Sequence, residues 1–457
     1  MKRVTFFLIV LTGILLLSSG CRFQSAESQA ETPESPVSMQ ASDHSPDEPC
    51  QVVRDNKPLI VCFSYSYERF SGRAALMEAQ RIFNEISDIE VEFYHSADHE
   101  ETDIDVVIVR ACTADNTPGL FKEIASGAYR DLNEMIANDW TFDPGKYGAV
   151  MDAGAFNDGR YVIPLSYNIP VLLTSEEKMA KLGFSVDDFS TLDGFITSWE
   201  TLQTKGVPAF TNSANWYDMV LNSGWFDEYI DFESCAVDLE RPSFRQLTEL
   251  MKRQWQAPPT EQYRVKKYAY IGLDGAGGLY SGLFDIVPNV REFMRYLEII
   301  DDLVLLPVPN AKGRVTAVVE SYCMIPVASD NPEGAWMFIK SLLSDEAHEA
   351  AHESATIFSY IHTGSERLVP CFDSEFSVGF DWMYNKYLSY VDHGLNLDLQ
   401  EYNDMIMNVY KSCDNAVIPY SKGGLVFSQV FGYISADSDD FDTLKNDAED
   451  YFSVFFS

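Results

Sequence analysis

Apolar residues along this chain follow two patterns: short unbroken runs, and stretches where they recur every three or four positions. Pro58–Phe63 and Asp105–Val109 are nearly continuous apolar runs, as in strands buried on both faces. Glu90–Tyr94 alternates and reads as a further strand, while Ala74–Phe83 and Leu120–Ser126 have helical spacing. Strand, helix, strand, strand and helix in this order is the rhythm of a parallel sheet covered by helices. Ligands of such sheets gather beyond the carboxyl ends of the strands. That places Tyr65 and Tyr67, just past the first run, and Arg110, at the end of the third, among the candidate ligand-binding residues.

The stretch from Asn157 to Thr174 organises the rest. Asn157, Asp158 and Gly159 tolerate the backbone angles of a tight turn. Tyr161–Ile163 and Ile169–Leu173 read as strands. Between them lies a polar, aromatic interruption, Ser166-Tyr167-Asn168, bracketed by Pro164 and Pro170. The expected arrangement is an extended crossing between two lobes, with Tyr167 and Asn168 on the floor of a cleft. On these residues alone, an edge hairpin in a single domain fits as well.

Beyond the crossing the α/β logic repeats. Ser175–Gly183 and Ser190–Lys205 read as helices, Val207–Thr211 as a strand, and Asn212–Tyr217 as the opening of another helix. Trp216 and Tyr217 follow a strand end and join the candidate ligand platforms. Asp238–Trp255 is an amphipathic helix, and Asp439–Phe456 closes the chain as a helix expected on the outside of the second lobe.

Charge and composition narrow the function classes. With 33 Lys and Arg against 70 Asp and Glu, the net charge is −37, which opposes binding to nucleic acid or to an anionic lipid surface. A neutral or cationic ligand fits this field. Lys2 and Arg3, the uncharged run Val4–Leu17 and the small residues before Cys21 have the order of a secretory signal. Residues 1–20 are expected to be removed, and the run is short of the roughly 20 apolar residues that a membrane span needs. Residues 21–49 are rich in Ser, Pro, Glu and Asp and read as a disordered tether. Of the eight cysteines, none forms a C-x-x-C pair, and Cys62, Cys112 and Cys323 lie in apolar runs as small buried hydrophobes.

Three motifs point elsewhere. His348-Glu-Ala-Ala-His352 has the spacing at which two histidines one helical turn apart bind zinc and a glutamate activates water. It suggests an alternative, a secreted zinc metallohydrolase using His348, Glu349 and His352. The flanking Asp345-Glu346 and Glu353-Ser354 suit a solvated helix better than the buried motif helix of such enzymes. Gly275-Ala-Gly-Gly278 lacks the third glycine of a dinucleotide fingerprint, and Asp437–Asp442 lacks the central glycine of a calcium loop. No catalytic residue, cofactor or metal is therefore expected.

Several stretches together resemble one family. Gly159-Arg-Tyr-Val-Ile-Pro164 with Asn168, Pro170-Val-Leu-Leu and Lys178–Gly183 looks like the crossing segment of the extracellular solute-binding proteins of ABC importers. Val304-Leu-Leu-Pro-Val-Pro309 with Gly313 resembles a further loop of that family. Asn331-Pro-Glu-Gly-Ala-Trp-Met-Phe-Ile-Lys340, with Leu342–Ala347, is similar to its "NPE-x-AW-x-F-I-K" helix and is the strongest match. The start of the chain also resembles a bacterial lipoprotein signal, which makes Cys21 the lipidated residue. The usual proline and tryptophan after the crossing helix are absent from Asp187–Leu192, and Gly272–Gly282 has no counterpart.

The resemblance implies a two-lobed α/β fold of the periplasmic-binding-protein type II class, with hinge strands between lobes. Lobe I would comprise residues 50–165 and 321–343, and lobe II residues 166–320 and 344–457. The second crossing would run along Val315–Val319, with Tyr322 facing the cleft. The implied function is capture of a small solute by hinge closure, without chemistry. A sugar or oligosaccharide is favoured, because the chain is rich in Tyr and Phe (24 and 30) and aromatic faces stack on sugar rings. The implied partners are an ABC permease and, through the lipid, the outer face of the cell membrane. The chain would act as a monomer. A solute receptor serving a sensor kinase has the same sequence features.

Overall fold

The structure is a computed structural model. It describes residues 57–63, 73–95, 103–110, 120–210, 229–231, 234, 236–256, 283–287, 302–310, 313–347, 350, 405, 408–418, 430, 432–434 and 440–456, all in one compact unit, Gln51–Ser457. The expected tether, Tyr65, Tyr67, Trp216, Tyr217 and the His348–His352 motif lie outside the described residues.

The chain begins with β1 (Leu59–Phe63), α1 (Arg73–Ile86), β2 (Val91–His95) and β3 (Val106–Arg110). β1 is buried along its whole length and pairs in parallel with β2 on one edge and β3 on the other, as its unbroken apolar run requires. Helix α1 turns Ala75, Leu76, Ala79 and Phe83 inward. Short helices α2 (Leu120–Ala125) and α3 (Asn133–Asn138) and a 3-10 segment (Pro144–Gly154) lead to a small hairpin, β4 (Ala155–Phe156) and β5 (Gly159–Arg160). Asn157 and Asp158 at its tip have φ of 48° and 64°, the left-handed turn that these two side chains tolerate.

The crossing segment forms β6 (Ile163–Asn168) and β7 (Val171–Ser175). The strand expected over Tyr161–Ile163 therefore starts later, and the residues expected to interrupt it are its second half. Pro164 is accommodated because, among the described residues, β6 pairs with β12 alone. Next come α4 (Glu176–Leu182), capped by the Ser175 hydroxyl accepting from the Lys178 amide at 3.1 Å, and α5 (Leu192–Thr204). In place of the strand expected over Val207–Thr211, the described residues show one bridge, Phe210 to Phe284. β8 (Ile230–Asp231), β9 (Ala236–Val237) and α6 (Pro242–Gln256) follow, α6 starting at the proline whose missing donor the first helical turn does not use.

The remaining elements are β10 (Asp285–Val287), β11 (Leu303–Pro307), β12 (Val315–Met324), α7 (Pro332–Leu342), β13 (Cys413–Val417) and α8 (Phe441–Phe456). Two sheets carry the fold. The first has six strands in the order β13-β12-β3-β1-β2, with β6 added on β12; the second is β10-β7-β11, antiparallel. The chain passes from the first sheet to the second through Ile169 and Pro170, and returns between Pro307 and Val315.

Two hydrophobic clusters result. One surrounds the six-stranded sheet; the other gathers α5, α6, α8 and their aromatic residues. The three-stranded sheet lies between them. Val171, Leu173 and Leu305 pack with the first cluster, and Leu172, Leu306 and Val304 with the second, as the two-residue period of a strand demands.

The expected domain boundaries at residues 165/166 and 320/321 fall within β6 and β12. The C-terminal remainder is also divided. Val409, Tyr410 and Ile418 pack in the first cluster and β13 joins the first sheet, because β12 offers it an edge there. Phe441, Leu444 and Ala448 of α8 are in the second cluster, where the closing helix was expected.

Candidate functional site

The site is set by strand β12. Along one edge it pairs antiparallel with β6, from Val318 opposite Asn168 to Cys323 opposite Ile163. The other edge is shared by two strands. Val315–Val318 pair with β13, which runs parallel and ends at Val417 opposite Val318. Ser321–Met324 pair with β3, which runs antiparallel and ends at Arg110 opposite Ser321. The carboxyl ends of β13 and β3 thus meet head to head, and only Val319 and Glu320 of β12 separate their registers. Parallel α/β sheets bind ligands where strand ends diverge in this way, since neighbouring connections leave in opposite directions and open a crevice.

The opposite edge is irregular at the same level. Val319 lies opposite Tyr167 and Ser321 opposite Ser166, so Glu320 is an extra residue, a β-bulge. Bulges re-aim a strand and its side chains and concentrate beside functional sites. Beneath the bulge the hydroxyls of Ser166 and Ser321 share a hydrogen bond of 2.5 Å, and both residues are buried.

What surrounds this point is apolar or satisfied. Val318, Val319, Ser321 and Tyr322 are all buried. At the far end of the sheet, the Asp105 carboxylate accepts from the Ile60 amide at 3.0 Å, the Ser329 hydroxyl at 2.6 Å and the Asn331 amide at 3.2 Å. These bonds fasten the start of β3 to β1 and to the loop that begins α7. Asn331 then caps α7, accepting from the Gly334 amide at 3.0 Å. Asp139 receives the Trp336 indole N–H at 2.9 Å and an ion pair from Lys340 at 2.6 Å. Burial works against its ionisation, but the bonds from Lys340, Thr141 and Trp336 outweigh that and hold its carboxyl at about 2.

The sequence-derived site residues divide. Arg110 and Asn168 terminate β3 and β6 and stand one or two register positions from Glu320. Tyr65 and Tyr67 follow β1, whose end at Phe63 is level with Ile108 of β3. Tyr167 and Tyr322, expected at the cleft, are 3% and 1% exposed and belong to the first cluster. Tyr167 packs against Tyr410 with ring centroids 5.6 Å apart, and burial pushes the Tyr322 hydroxyl well above its ordinary titration range. Both faces of the sheet are covered here, so alternation along the strand does not bring either ring to solvent. Glu320, the bulged residue, is the only charged residue in Val-Thr-Ala-Val-Val-Glu-Ser-Tyr-Cys-Met, the whole of β12.

No protein-family model and no curated protein matches the sequence. Solved structures do. The sugar-binding protein MalE from the phytopathogen Xanthomonas citri aligns over 87% of this chain and 97% of its own, at 13% identity and a TM-score of 0.55. The bacterial solute receptor AcbH, described as preferring β-D-galactopyranose, aligns over 88% of this chain and 100% of its own, at 14% identity and a TM-score of 0.55. An extracellular solute-binding protein of family 1 from Alicyclobacillus acidocaldarius covers 88% of this chain and 100% of its own, at 13% identity and a TM-score of 0.51.

Proposed function

We propose that the two-lobed α/β fold that the chain shares with these sugar- and solute-binding proteins serves the same class of task. The chain is then a lipid-anchored, extracytoplasmic substrate-binding protein of an ABC importer. It captures a sugar or oligosaccharide between its lobes by hinge closure and releases it unchanged to a permease. The observation that carries this reading is the meeting of the carboxyl ends of β3 and β13 on one edge of β12. The chain makes its two passages between sheets close by, after β6 and before β12, so a ligand seated there touches elements of both lobes. Lobe I corresponds to the first cluster and lobe II to the second. Ligand binds the closed form more tightly and draws the population toward it. Tyr65, Tyr67, Arg110, Asn168, Trp216 and Tyr217 are the proposed contacts; Tyr167 and Tyr322 support them from the core.

Titration of intrinsic tryptophan fluorescence with neutral mono- and oligosaccharides tests the reading. A saturable change accompanied by a smaller radius of gyration in solution scattering is expected. Silence across sugars, peptides and polyamines, or turnover of the captured molecule, overturns it. For the anchor, metabolic labelling with radioactive palmitate is expected to mark the chain and to be lost in Cys21→Ser.

A further inference from the structure

Resting on the two-lobed reading, we infer that Asn310, Arg314, Thr316 and Asn415 form a hinge clasp. It is a closed ring of hydrogen bonds that fixes the foot of the second passage between the sheets and confines the bending of that passage to Val308 and Pro309. The ring can be followed atom by atom. The Asn310 side-chain amide donates to the Thr316 hydroxyl oxygen at 2.9 Å, and the Asn415 side-chain amide donates to the same oxygen at 2.9 Å. The Arg314 guanidinium donates to the Asn415 side-chain oxygen at 3.4 Å. The Arg314 backbone amide closes the ring on the Asn310 side-chain oxygen at 2.9 Å, and the Arg314 carbonyl accepts from Asn310 at 2.7 Å. Asn310 and Thr316 are buried. A second feature falls on the same spot. β13 bulges at Asp414, between the pairs Val315–Cys413 and Thr316–Asn415, and the Asp414 carboxylate accepts from the Val315 amide at 2.8 Å. Gly313, with φ of 66°, donates its amide to the Asn310 carbonyl at 3.1 Å and so turns the chain into the ring.

The clasp sits where the chain leaves β11 and enters β12, on its way from the second sheet to the first. It is anchored wholly on the first sheet, because Thr316 belongs to β12 and Asn415 to β13. Both side-chain hydrogens of Asn310 are committed, and opening the ring would leave buried donors and acceptors without partners. The two passages are joined to each other more loosely. The Val308 amide reaches the Pro170 carbonyl at 3.5 Å, beyond the roughly 2.7–3.2 Å of a well-formed bond. Rotation of one lobe against the other therefore falls on Val308 and Pro309, between β11 and the ring and beside Pro170. Hinge motions are absorbed in this way by a few backbone angles, while packed elements on either side move as bodies. A third passage, between Ile418 of the first cluster and Val430 of the second, lies outside the described residues. A short pivot keeps the open and closed forms few and well defined, so little binding free energy is lost in selecting the competent form.

The test places a dye pair at the exposed positions Ala137 of α3 and Glu200 of α5, one for each cluster, and reads their separation in the full chain by single-molecule energy transfer. D-galactose, maltose and raffinose are the probes, and titration calorimetry gives their affinity. The variants are Asn310→Ala and Thr316→Val; the second keeps the shape of its side chain and loses the shared oxygen. In the absence of sugar, both variants are expected to show a broader distribution of separations than wild type. Affinity for the sugar that wild type binds is expected to fall about threefold or more, because the competent form is a smaller fraction of the whole. The double variant should be no worse than the stronger single one, since both break the same ring. An unchanged distribution or an unchanged affinity in a folded variant overturns the clasp and leaves the two-lobed reading standing, even where the unfolding midpoint has dropped, because a merely structural role gives that result. A wild-type separation that none of the three sugars and no other sugar shifts overturns both. Should Asn310→Ala fail to fold, Thr316→Val decides on the same terms.

Discussion

The two hydrophobic clusters reach comparable burial by different means. In the first, order comes from backbone pairing. Six strands lie in one sheet, and polar side chains such as Asp105 and Asn331 serve as fasteners at its margins. In the second, the described strand content is small, and aromatic rings do the packing. Phe189, Phe195, Trp199, Phe210 and Phe284 contact one another with centroids 4.7 to 6.3 Å apart, many of them edge to face. A sheet core is specified by register, which a single slip would ruin. An aromatic core is specified by shape, and each ring carries a large share of the buried area.

Five substitutions probe that contrast, from the largest expected effect to the smallest. Trp199→Ala removes a ring 1% exposed, packed on Phe195 and Phe210 and donating to Gln254 at 3.0 Å. A loss of about 3–5 kcal/mol of unfolding free energy is expected in urea. A loss below about 1 kcal/mol would mean that the second cluster is not held by its rings. In the first cluster, Asp105→Ala strips the acceptor from three donors and should cost about 3 kcal/mol. Wild-type stability in that variant would break the view that polar fasteners hold the sheet.

Asp139→Asn should cost about 2 kcal/mol at neutral pH, the equivalent of lowering its carboxyl from 3.8 to about 2. Because the folded state depresses this group, its stabilisation is complete above pH 4 and fades as pH falls toward 2. The gap between wild type and variant should close over that interval; a gap that persists at pH 2 refutes the ionic origin. Last, Ser166→Ala and Ser321→Ala each leave one buried hydroxyl alone and should each cost about 1 kcal/mol. The double variant should lose less than the sum, since the two share one bond. Additive losses would show that the hydroxyl pair does not couple β6 to β12.

Much of the first lobe was readable from residue order. The runs over Leu59–Phe63 and Val106–Arg110 are strands, Arg73–Ile86 and Pro332–Leu342 are helices, and the Asn157-Asp158 turn and the Ser175 cap are where their chemistry requires. Such features are local, decided by a residue and its near neighbours. The error over Ser166–Asn168 has a physical source. Polar residues looked like a break, but β12 supplied backbone partners and a second hydroxyl, so polarity and pairing coexist there.

The sequence by itself determined the α/β class, the excess of acidic residues and the identity of Arg110 as the polar end of an apolar strand, because alternation, charge and turn preference act over a few residues. Tertiary structure alone decided that β13, about 90 residues beyond β12, would end opposite β3, and that a bulge would fall on Glu320. It also decided that Tyr167 and Tyr322 would be buried in the first cluster. Which strand completes an open edge depends on the free energy of the whole sheet, and no short stretch of chain encodes that sum.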